Sequence, residues 1–90
     1  MRLIDLYHVA VRKYQRTNQT RDLRQARSIM QYVNSWGEHV WMSDDQYARA
    51  EIAKSVSHRT GHSLSHCVHK LESFYKLKES ERKYYEPSND

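Results

Sequence analysis

H-R-T-G-H-S-L-S-H-C-V-H-K-L-E-S-F-Y-K-L, residues His58 to Leu77, is the stretch whose reading decides the fold. From Ser63 onward its apolar residues fall at Leu64, Cys67, Val68, Leu71, Phe74 and Tyr75, the i, i+3, i+4, i+7 spacing of a helix with one buried stripe. At roughly 100° per residue the opposite side carries His62, Ser65, His66, His69, Ser73 and Lys76. The stretch predicts a helix that is apolar inward and hydrogen-bonding outward. Ser63 is placed to cap it, and His58 to Gly61 form the tight turn before it, with Gly61 free to take positive φ.

Working upstream, Ser43 followed three residues later by Gln46 reads as a capping box, so a third helix is expected from Asp44, with Ala48, Ile52, Ala53 and Val56 inward and Tyr47 on the flank. Before it, E-H-V-W-M is short, β-prone and aromatic, and reads as an isolated strand or an extended connector. A second helix, capped by Thr20 and ended by Gly37, presents Leu23, Ala26, Ile29, Met30, Val33 and Trp36. Arg21, Arg24 and Arg27 lie three apart on its outward side, as a solvated face or a phosphate-contacting ridge. The first helix, Arg2 to Arg16, buries Leu3, Leu6, Tyr7, Ala10 and Tyr14, widened by Ile4 and Val11, and collects Arg12, Lys13 and Arg16 in its last turn, where cations complement the helix dipole. It lacks a clear N-cap, so its first turn is expected to fray or to pack on another subunit.

Composition agrees with helices. Two Gly and one Pro in ninety residues leave few tight turns, and 38% hydrophobic with 29% charged residues is polar but not disordered. The expectation is a mainly α, small single domain over residues 1–86, about four helices, with a disordered tail at 87–90. Fifteen Lys and Arg against eleven Asp and Glu give a net charge of +4. That excess favours nucleic acid or an acidic protein as partner. No apolar run is long enough to span a membrane, and the lone Cys67, on the apolar stripe, fits a reducing, cytoplasmic setting.

The segment Asp44 to Val56, the turn at Thr60 and Gly61, the helix from Ser63, and the string S-L-S-H-C-V-H-K-L-E-S-F-Y-K-L-K followed by R-K-Y-Y resemble the winged helix-turn-helix family over residues 44–86, with the helix-turn-helix part at 44–77. The resemblance implies a recognition helix whose Ser63, Ser65, His62, His66 and His69 reach base edges or phosphates of double-stranded DNA, with Lys70, Lys76 and Arg59 near the backbone and Arg82 or Lys83 on a wing. It departs from the family in having no Gly at the wing tip, E-S-E, and few Arg, Asn or Gln on the recognition helix. Apart from the resemblance, Lys76 to Glu86 reads either as a hairpin, with Tyr84 and Tyr85 in the returning strand, or as a helix running on to Lys83.

Other chemistry finds less footing. His58, His62, His66 and His69 are spaced four, four and three, but Cys67 faces the wrong way to join them, and the reading adopted is a His-rich binding face with no metal. No Gly-rich phosphate loop or H-E-x-x-H occurs, Asp44 and Asp45 are explained as helix-start acids, and neither an enzyme nor a cofactor is expected. Ten aromatic residues, seven of them Tyr, exceed what so small a core holds. Trp36, Trp41, Tyr84 and Tyr85, with the Arg21, Arg24 and Arg27 ridge, are therefore assigned to a partner surface. The leading expectation is a small basic nucleic-acid-binding regulator. Its alternative is an inhibitor or adaptor, of viral or mobile-element type, that occupies an acidic host protein, and a homodimer is open under either.

Overall fold

The computed structural model describes residues 1–85, and expectations about 86–90, or about the side chain of Tyr85, lie outside the described residues. The chain forms α1 (Leu3–Thr17), α2 (Thr20–Trp36), α3 (Gln46–Thr60), α4 (Leu64–Ser80) and the short α5 (Arg82–Tyr85), with no strand among the described residues. α1 packs chiefly on α2 and α3 on α4, and α4 also meets α1. Short turns dictate this pairing, because helices joined by only a few residues fold back beside each other.

Local chemistry sets the ends. Asn18 closes α1 in the left-handed region at φ 55°, Gly61 closes α3 at φ 79°, and Gly37 follows α2 at φ 106°. Ser63 caps α4 by accepting from the His66 N–H at 3.2 Å. At α3 the cap is two residues later than the sequence suggests: Asp45, not Ser43, accepts from the Tyr47 N–H at 3.0 Å. Ser43 is drawn off because its N–H donates to the Tyr75 hydroxyl and its Oγ accepts from the Asp45 N–H, each at 3.0 Å.

The first turn of α1 is held by the α2–α3 connector of the same chain. The Leu3 and Ile4 N–H groups donate to the carbonyls of Val40 and Glu38 at 2.8 and 3.2 Å, and Arg2 and Trp41 form an isolated antiparallel bridge. The α2–α3 connector thus satisfies donors that a helix start otherwise leaves to water. Asp5 completes the end by accepting from the Arg2 N–H at 3.1 Å.

The core is built from Leu3, Leu6, Val9, Ala10, Ala26, Ile29, Val33, Trp36, Ala53, Val56, Cys67, Leu71, Phe74 and Leu77, with Val40 and Met42 from the connector. On α4 the buried stripe is rotated from the expected one: Leu77 is inside while Leu64 and Val68 are 45% and 42% exposed. The rotation follows from the tail. Glu81 is buried and ion-paired with Arg16, whose guanidinium also lies 3.7 Å over the Tyr84 ring, so the segment after Lys76 is pinned to α1 as helix. The hairpin wing expected there is therefore corrected to the end of α4 followed by α5.

Candidate functional site

The site is where the start of α4 crosses the second half of α2. Trp36, assigned from sequence to a partner surface, is instead 2% exposed, and its indole N–H donates to His62 Nδ1 at 3.0 Å. An indole nitrogen only donates, so His62 Nδ1 must be unprotonated and its ring proton sits on Nε2. One turn along, the Tyr32 hydroxyl lies 3.5 Å from His66 Nε2, and the two imidazoles meet edge to face with centroids 5.1 Å apart. Phe74 supports Tyr32 and Trp36 from below at 5.7 and 6.1 Å.

These rings border an open cleft of about 490 Å³ lined by Gln31, Tyr32, Ser35, His62, Ser63 and His66. None of the six is a carboxylate. Lys70 holds its ammonium 5.5 Å from the Tyr32 ring centre, adding a cation beside the cleft. His62 and His66 are thus half-buried against α2 and not on a wholly solvated face as the helical wheel implied.

α2 continues this surface. Arg24 and Arg27 lie on the same outward arc as Gln31, seven and four residues before it, and Arg21 borders that arc; all three arginines are exposed and make no ion pair among the described residues. The helix's single acid, Asp22, is 3% exposed, accepts from the Thr17 hydroxyl and lies 3.7 Å from the Lys13 ammonium. Folding therefore withdraws the one negative charge of α2 from the surface and leaves its arginines.

The outward face of α4 differs. Ser65, His69 and Lys76 are exposed there as expected, but Glu72 stands among them and Glu79 beside them, with Leu64 and Val68 on one flank. The remaining sequence-assigned residues are scattered. Arg59 and Trp41, the latter 60% exposed, line a separate groove against α3 with His39, Ile52 and Ser55. Arg82 borders a pocket of about 200 Å³ with Asp44, Arg49, Tyr75, Lys78 and Glu79. Two ion pairs hold that pocket's rim, Lys78 with Asp44 at 2.8 Å and Arg49 with Glu72 at 3.7 Å. Lys83 and Tyr84 are exposed on α5, with the Lys83 ammonium 5.0 Å from the Tyr84 ring.

Among the described residues no group of three or more His, Cys, Asp or Glu is placed to hold a metal ion. Cys67 is fully buried, and burial pushes its thiol up from the ordinary value, which suits a packed side chain and not a nucleophile. Gln31 and Ser35 were missed in the sequence, and Tyr32 was counted only among the surplus aromatic residues. The signal was present in Tyr32 and Trp36, two large rings four residues apart, and in the Gln31 that follows Arg27 by one turn.

No helix among the described residues is long and apolar enough to cross a membrane. Compared with family models, curated proteins and solved structures, the chain matches none, so its function is argued from its own surface.

Proposed function

We propose that this protein is a non-enzymatic regulator that binds nucleic acid, and that it does so through the face shared by α2 and α4, not through the outward face of α4. The observation that carries this reading is a strip free of acids among the described residues: three arginines on α2 that make no ion pair among those residues, continued by Gln31 into a cleft walled by His62 and His66 and flanked by Lys70. Guanidinium groups released from intramolecular pairs are free to replace counterions along a phosphate backbone. A helix-turn-helix mode with α4 as reader is less well supported, because Glu79 would face the phosphates there beside a Glu72 only partly offset by Arg49.

The test is fluorescence anisotropy on random-sequence oligonucleotides across a salt series. The logarithm of affinity should fall linearly with the logarithm of salt concentration, and Arg24→Ala with Arg27→Ala should flatten that line by roughly one unit per lost phosphate contact. Absence of binding at low salt, or a slope untouched by both substitutions, rejects the reading.

A protein partner is the second reading, favoured by Trp41 at 60% and Tyr47 at 86% exposure on the α3 side. Association through those rings would tolerate salt and would weaken with Trp41→Ala while ignoring the arginines.

A further inference from the structure

We infer that the α2–α4 cleft is a pocket for one unpaired nucleobase, so that the ligand is a single strand and not a duplex. The inference rests on the nucleic-acid reading above and names its substrate class. The hydrogen bond from Trp36 fixes His62 as the tautomer whose Nε2–H is a donor, and no partner for that N–H is found among the described residues. A fixed ring donor at the wall of an open cleft suits an acceptor oxygen, such as the carbonyl of a base. Gln31, in the same wall, supplies both a carbonyl and an NH₂ group, the pair that matches a base edge.

The rings give the second half of the argument. His66 and Tyr32 line the cleft with aromatic rings whose centres are 5.8 Å apart, and stacking on aromatic rings is how proteins hold splayed bases irrespective of sequence. A paired base keeps its faces covered and its edge occupied, so a duplex could meet the arginines but not enter the cleft. The adjoining arginines of α2 then take the backbone, and Lys70 takes charge at the cleft edge.

The experiment compares anisotropy of the full chain with labelled oligothymidine and oligouridine of roughly 12 nucleotides, a duplex of that length, and an abasic strand. Either single strand should bind about tenfold tighter than the duplex and than the abasic strand. His66→Ala and Gln31→Ala, both on the cleft wall outside the buried core, should remove most of that preference, and circular dichroism should show them as helical as the parent. Preference for oligouridine or for oligothymidine supports the inference and identifies the strand as RNA or DNA. Equal or tighter duplex binding, or an abasic strand that binds as well as one with bases, overturns it. If that happens while Arg24→Ala and Arg27→Ala still flatten the salt dependence, the nucleic-acid reading stands and only the base pocket fails.

Discussion

α2 and α4 are both seventeen residues long and both amphipathic, yet they expose opposite kinds of surface. The stretch around α4 has the histidines and serines that draw the eye in the sequence, but His66, with His62 just ahead of the helix, turns onto α2, and the open side of α4 mixes Lys76 with Glu72 and Glu79. α2 looks like an ordinary polar helix, but its only acid is buried against Lys13 and Thr17, leaving arginines alone outside. What a helix offers a ligand depends less on which polar residues it has than on which of them its neighbours neutralise.

The comparison breaks most severely at Trp36. Trp36→Ala should remove about 3–5 kcal/mol of stability by cavity formation and leave His62 without its donor, read as a large drop in Tm. Trp36→Phe should retain part of that stability while releasing the tautomer of His62, which histidine NMR would show as loss of a single protonated Nε2.

The difference between the two faces is sharpened by charge. Arg24→Ala with Arg27→Ala should flatten the salt dependence of oligonucleotide binding by about two units in total, whereas Lys76→Ala on α4 should leave it within error. Equal effects on both helices would erase the distinction drawn between them.

Gly61 sets how α4 meets α2. With φ at 79°, Gly61→Ala should destabilise by about 1–2 kcal/mol through left-handed strain, since nothing within 4 Å obstructs the added methyl. Urea unfolding followed by circular dichroism measures it.

The smallest effect concerns acid. The Lys78 ammonium, hydrogen-bonded to Asp44 at 2.8 Å, is the main reason its carboxyl is held below the ordinary carboxylate value. A depressed folded pKa stabilises above the unfolded value, and that contribution disappears as pH falls through the folded one. Asp44→Asn should therefore lower the urea midpoint at pH 7 by an amount worth roughly a few tenths of a kcal/mol, because the carboxylate is largely exposed, and the gap to the parent should close as pH falls below the ordinary carboxylate range.

The residues that were legible in advance share a property. Gly37, Gly61 and Ser63 act within one turn of themselves, and Ala26, Ile29 and Val33 lie at the centre of their helix's buried arc, where a small rotation changes nothing. Leu64 and Val68 were misjudged, the first because it is the opening residue of α4 and the second because it flanks the buried arc, while Leu77 on the other flank was missed. Val9 was missed for the same reason at the margin of α1's stripe.

By itself the sequence determined that this is a helical chain, roughly where α1, α2 and α3 stop, and that it holds an excess of positive charge, because helix-ending glycines and residue counts are properties of near neighbours. Tertiary structure alone decided that Asp22 is silenced by α1, that the segment from Leu77 to Tyr85 is helical and not a wing, and that Gln31, Tyr32, His62 and His66 line one open cleft. Those outcomes join residues from 5 to 65 positions apart, and only the packing of one helix on another brings such groups within reach.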